Sequence, residues 1–97
     1  MDLDYKQVEM MSQLIEDTKK REIVRFILKE NPKGRYHNEI CSHIGGSKTS
    51  VHERIVELEL SGLIKSKPGI SNGRPVRLYY IDESEREILN AYPELLS

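Results

Sequence analysis

The residues best equipped for chemistry lie between Gly45 and Gly62, in GGSKTSVHERIVELELSG. Ser47 suits a helix N-cap, where its hydroxyl accepts a free backbone N–H of the first turn. Val51, Ile55 and Leu58 recur at i, i+4 and i+7, one face of a helix, and Gly62 supplies a helix stop. The opposite face of the first turns carries Lys48, Thr49, His52 and Glu53: a cation, a hydroxyl, an imidazole and a carboxylate. Neighbours along one helix point in different directions, so these groups do not converge as a nucleophile and its base must. They form a row of donors and acceptors at an exposed helix end. That chemistry suits base edges in the DNA major groove.

Two other chemistries find less support. His37 and Cys41 stand at i, i+4 with His43 nearby and sketch part of a metal site, but the third and fourth ligands of a tetrahedral centre are missing. Cys41 reads as a small, half-buried residue on a core face. There is no phosphate-cradling Gly-rich loop and no nucleophile elbow. The expectation is a protein that is not an enzyme, with no catalytic residue, metal or cofactor.

The elements that position these residues follow from periodicity. Residues 3–17 read as a helix with Val8, Met11 and Ile15 on one stripe and Leu14 beside it. Residues 19–30 make a second helix, with Ile23, Phe26 and Ile27 turned inward, stopped at Asn31-Pro32. Arg35-Tyr36 is a short extended link. Residues 38–44 form a short helix with Asn38 as its expected cap, and Gly45-Gly46 joins it to the opening stretch. Two short helices joined by a glycine turn make a helix-turn-helix. Residues 63–67 and 76–81 read as two strands around a flexible basic loop, 68–75, and residues 83–92 return to helix.

The chain has 97 residues, enough for one small core, and 32% of them are charged. Its net charge of −1 hides a pattern. Residues 19–80 carry thirteen Lys/Arg against six Asp/Glu, whereas 1–18 and 81–97 each carry one against five. A basic centre suits an anionic partner, and the acidic ends suit another task. No run is apolar enough to cross a membrane, and the acidic start MDLDYKQVEM lacks the layout of a signal peptide. One cysteine, Cys41, excludes an internal disulfide and fits a reducing compartment, so the expected location is the cytoplasm.

Residues 19–81 resemble the winged helix-turn-helix domain of ArsR-, MarR- and PadR-like transcriptional regulators. Three stretches carry the resemblance: NEICSHIGGSKTSVHERIVELELSGLI, the run from Ser61 to Ile64 where the helix ends and the wing begins, and NGRPVRLYYI. The resemblance implies a mainly α (α+β) fold, with a two-stranded β wing and flanking N- and C-terminal helices. It implies double-stranded DNA as partner, read by a homodimer. Residues 1–18 and 82–97 would then dimerise, and 19–81 would bind DNA. Val8, Met11, Leu14, Ile15, Ile88, Leu89, Tyr92, Leu95 and Leu96 exceed what a small core needs, although they can also simply cover that core. Paired recognition helices would stand about one DNA turn apart, roughly 34–36 Å.

By the same resemblance, Lys48 meets a guanine edge or a phosphate, and Thr49 and Ser50 meet phosphate or a thymine methyl. His52 donates or accepts. Glu53 departs from the basic or neutral residue common there; it either accepts from a cytosine amino group or is a plain surface charge. Arg54 suits phosphate but lies nearer the core seam. In the wing, Gly73-Arg74-Pro75 is similar to the centre of minor-groove AT-hooks, with a plain phosphate contact by Arg74 as the alternative. Lys65, Lys67 and Arg77 flank it. The competing function is a winged-helix protein-interaction module, favoured if Glu53, Glu57 and Glu59 interrupt the basic surface.

Overall fold

Two aspartates start the first two helices. In the computed structural model, which describes residues 3–97, Asp4 accepts from the Gln7 backbone N–H at 2.8 Å. The Gln7 side chain accepts from the Asp4 backbone N–H in return, at 3.0 Å. This reciprocal cap opens α1 (Tyr5–Ile15). Asp2, counted among the acidic N-terminal residues, lies outside the described residues. The Asp17 carboxylate accepts from the backbone N–H of Lys19 and Lys20 and opens α2 (Thr18–Lys29).

Both helices turn differently from expectation. On α1 the inward residues are Met10, Met11 and Leu14, while Val8 and Ile15 are exposed. The helix is apolar on two faces, and periodicity does not say which one the core takes. On α2 the inward set is Ile23, Val24 and Ile27. Phe26 stands at the rim, stacked on His43 with centroids 3.9 Å apart and with the Arg35 guanidinium 3.9 Å from its centroid.

Next come β1 (Arg35–Tyr36), α3 (His37–Ile44) and α4 (Lys48–Ser61). The cap of α3 is Tyr36 and not Asn38: the Tyr36 backbone N–H donates to the Glu39 carboxylate at 2.9 Å, and Asn38 sits in the first turn. Ser47 caps α4 by accepting from the Ser50 N–H at 3.3 Å, and Gly62 closes it in the left-handed conformation. Val51, Ile55 and Leu58 face the core as their spacing required.

The wing, β2 (Lys65–Ser71) and β3 (Arg74–Tyr80), is longer and stiffer than expected. Most of 68–75 is strand and not flexible loop. Asn72 and Gly73 both take positive φ, 53° and 75°, which makes the two-residue turn that joins twisted antiparallel strands. Pro68 is tolerated because β2 is an edge strand. Pro75 is tolerated because β3 has no second neighbour at that end. The short link Arg35-Tyr36 also joins the sheet, pairing with Tyr79 and Leu78, so the sheet has three strands in the order β1-β3-β2. Gly34 makes this possible: at φ 94° its Cα sits so close to β3 that a Cβ would stand 2.0 Å from the Tyr79 carbonyl oxygen.

The chain ends with α5 (Glu83–Ala91) and a 3-10 turn, Pro93–Leu96. Ile88 and Leu89 are buried in the chain's own core, and Leu95 and Leu96 pack against it. Arg25 donates to the Leu96 carbonyl, which ties the last turn to α2. The centre of the core is Ile23, Ile27, Ile40, Ile55, Leu58, Leu63, Ile64 and Ile81.

Candidate nucleic-acid interface

The first turns of α4 are open to solvent. Lys48, Thr49, His52 and Glu53 are exposed, and Ser50 is half-buried. Two shallow recesses continue this surface. One, of about 110 Å³, is lined by Lys48, Ser42, Cys41, His37 and Asn38. The other, of about 370 Å³, is lined by Asn38, Ser71, Asn72, Arg74 and Val76. Asn38 is common to both, so one surface runs from the α4 N-terminus across the start of α3 to the wing tip. Among the described residues no hydrogen bond or ion pair engages the Lys48 or Arg74 side chains. The free N–H groups and partial positive charge of the α4 N-terminus add to the same face.

The other basic residues divide. Lys67 is exposed, its ammonium 5.1 Å from the Tyr80 ring centroid. Arg77 is exposed and donates to the Ser66 hydroxyl at 2.8 Å. Lys65 is tied to Asp82 at the start of α5, with Glu85 at 4.0 Å. The hydrogen bond to Asp82 is the main reason its pKa is raised. Arg54 pairs with Asp17 at 3.0 Å and bonds Ser50. Burial pushes the Asp17 carboxyl up, but the Lys20 backbone N–H and Arg54 outweigh it and lower the pKa.

The acidic residues of α4 also divide. Glu57 accepts from Lys20 at 2.5 Å on the side of α1 and α2. Glu59 accepts from the Ser66 hydroxyl at the base of the wing. Only Glu53, of the three, stands exposed on the outward side of the first turns. Further along α4 Val56 is partly exposed, and Leu60, 83% exposed, lines a recess against α1 together with Glu57, Lys6, Glu9 and Gln13.

The histidines behave as their spacing did not foretell. His43 turns to Phe26, away from His37 and Cys41. His37 Nε2 lies 3.0 Å from His52 Nδ1, and His37 Nδ1 lies 3.7 Å from Cys41 Sγ. Burial, and then the neighbouring His52, lower the His37 pKa. Among the described residues no group of three His, Cys, Asp or Glu is placed to hold a metal ion. The sequence carried no signal for the His37–His52 pair, whose members are 15 residues apart. Asn38, read as a cap, was missed as a surface residue for the same reason: its neighbours come from the wing.

No family model matches the chain, and no curated protein matches it in sequence. Among solved structures it is similar to MepR of S. aureus in a complex with DNA, at a TM-score of 0.70 and 14% identity, over 93% of this chain and 72% of that one. No helix among the described residues is long and apolar enough to cross a membrane. The helix-turn-helix of α3 and α4 followed by the β2–β3 wing is the winged helix fold of that structure.

Proposed function

We propose that this chain binds double-stranded DNA as a homodimeric transcriptional regulator, with α4 in the major groove and the wing tip in the adjacent minor groove. The observation that carries this reading is the continuous exposed surface from Lys48 past Asn38 to Arg74, whose two terminal cations have no partner among the described residues. The likeness to a protein solved with DNA agrees with it. Lys48 and Thr49 contact phosphate or base edges, and His52 and Glu53 face the bases. Arg74 enters the minor groove at the wing tip, and Lys67 and Arg77 hold the wing to the backbone. Ser50 and Lys65 act mainly within the protein, since Arg54 occupies the first and Asp82 the second.

Dimerisation rests on α1. Tyr5, Val8, Ser12 and Ile15 follow at i, i+3, i+7 and i+10, the spacing of helices that pair along a seam. Tyr5 is 81% and Ile15 65% exposed. Residues 82–97 have Ile88 and Leu89 in the core, so their part is to brace the seam and not to supply its apolar surface.

Fluorescence anisotropy against genomic fragments at two salt concentrations tests the function. Four exposed wing and helix cations, Lys48, Lys67, Arg74 and Arg77, give an expected slope of log K against log salt of about −3 to −4 per protomer. Lys48→Ala with Arg74→Ala weakens binding to all sequences and makes the slope shallower by about 2. Binding absent at low salt, or unchanged in the double variant, sinks the proposal.

One observation favours a second reading, a protein-interaction module. Glu53 and Val56 stand exposed on α4 and Leu60 is exposed beside α1, and carboxylates beside exposed aliphatics suit protein better than phosphate. Under that reading Leu60→Lys abolishes partner binding, whereas under the first it leaves DNA affinity unchanged.

A further inference from the structure

His52 stands in the row of groups that α4 exposes, yet one of its two ring nitrogens is not available to any outside partner. His52 Nδ1 lies 3.0 Å from His37 Nε2, with the ring centroids 5.1 Å apart and the rings inclined at 61°. The second nitrogen of His37, Nδ1, lies 3.7 Å from Cys41 Sγ one helical turn further along α3. Cys41 is 8% exposed, and the Tyr79 ring of β3 closes another side of His37 at 6.0 Å. These contacts make one chain of hydrogen-bonding atoms, from a buried thiol through two imidazoles to solvent. Its outer end is His52 Nε2.

A neutral imidazole has one donor nitrogen and one acceptor nitrogen, and the bond made by one decides the character of the other. The chain therefore has two proton orders. In the first, the Cys41 thiol donates to His37 Nδ1, His37 Nε2–H donates to His52 Nδ1, and His52 Nε2–H is left as an outward donor. In the second every bond is reversed. His37 Nδ1–H then spends a strong donor on a sulfur that accepts weakly, and His52 Nε2 becomes an outward acceptor. The first order matches each donor to a good acceptor and leaves no strong half-buried donor poorly bonded. It also puts both rings in the Nε2–H form, the more stable tautomer of a free histidine side chain.

We propose that Cys41 and His37 are positioning residues that fix the tautomer of His52, so that α4 presents an N–H donor and not an acceptor at this point. Resting on the DNA-binding reading of α4, this sets what His52 reads. Purine N7, guanine O6 and thymine O4 accept from it, whereas cytosine offers its amino donor in the major groove and is rejected. Specificity at that base thus depends on two residues that act through His52. Without the relay the ring is free to adopt either tautomer, and the discrimination falls.

Long-range proton–nitrogen NMR on histidine-labelled protein, without DNA and above pH 7.5, reads the tautomers directly. Both His37 and His52 are expected in the Nε2–H form. Cys41→Ala shifts His37 toward a mixture, and His37→Phe does the same to His52. A His52 that carries its proton on Nδ1, or tautomers unmoved by both substitutions, overturns the relay. Binding-site selection from random DNA then reads the consequence. The wild type is expected to disfavour cytosine about five- to tenfold at one position of each half-site, and His37→Phe to lose most of that preference. Equal acceptance of cytosine by both proteins overturns the specificity role. Failure to select any DNA overturns the DNA-binding reading itself, while the NMR result still stands or falls alone.

Discussion

At the residue scale, two buried or half-buried groups decide what this chain tolerates. Lys20 is 6% exposed, and its ammonium is satisfied by Glu57 at 2.5 Å and Gln13 at 2.6 Å. Glu57 itself is largely exposed, so the attraction is screened, and the greater cost lies in leaving the ammonium without its carboxylate. Glu57→Ala is therefore expected to lose about 1–2 kcal/mol, and Lys20→Met less than about 1 kcal/mol, in urea unfolding. A larger loss for Lys20→Met would reverse this account. His37 gives a pH dependence. Its neighbours are His52 from α4, Cys41 from its own helix and Tyr79 from β3, with Lys48 lining the same recess. Its pKa lies below the ordinary value of 6.5 in the folded protein. The unfolded chain thus binds the extra proton first, and stability falls as pH drops from about 6.5 through the folded value. The urea midpoint is expected to decline between pH 8 and pH 5, and the decline to shrink in His37→Gln. Equal declines in the two proteins would assign the effect to other groups.

At the element scale, the wing is held at its root as well as along its length. β1 adds a third strand through Tyr36 and Arg35, Lys65 bridges to Asp82, and Ser66 links Glu59 to Arg77. An arm so anchored keeps Arg74 at a fixed reach from α4, which a flexible loop does not. Gly34 is the point on which this depends. Gly34→Ala places a methyl 2.0 Å from the Tyr79 oxygen at a φ that side chains rarely adopt. The expected result is a loss on the order of 3 kcal/mol or more, with early hydrogen exchange at Tyr36 and Tyr79. A loss below about 1 kcal/mol would mean that β1 does not hold the wing.

At the scale of the whole molecule, the dimensions of 43 × 26 × 21 Å describe an extended body. Of the thirteen basic residues of the middle segment, two lie on α4, four on the wing and seven on α2 and the link after it, while Tyr5, Val8 and Ile15 stand exposed on the outward stripe of α1. Under the proposed function, α4 and the wing meet phosphate while the stripe on α1 meets a second copy. Val8→Lys together with Ile15→Lys is expected to leave the fold intact and to convert a dimer to a monomer in sedimentation equilibrium. DNA affinity should fall at the same time, because two half-sites are no longer engaged together. A wild-type protein that sediments as a monomer would remove the dimer from the proposal.

What the sequence determined by itself was local. The seam Val51–Ile55–Leu58, the Ser47 cap, the Gly62 stop and the order of elements are written in spacing and in residue types whose effects act within a turn or two. The winged helix fold followed from these together with the resemblance of three ordered motifs. The tertiary structure decided what depends on residues far apart in the chain. It chose Met10–Met11–Leu14 over Val8–Ile15 as the inner face of α1, because only packing selects between two apolar stripes. It turned a proline- and glycine-bearing loop into strand, because an Asn-Gly turn and an edge position remove the objections to proline. It withdrew Lys65 and Arg54 into ion pairs, and it brought His37 to His52. None of these partners lies within a helical turn of the residue it engages, so no period in the sequence could announce them.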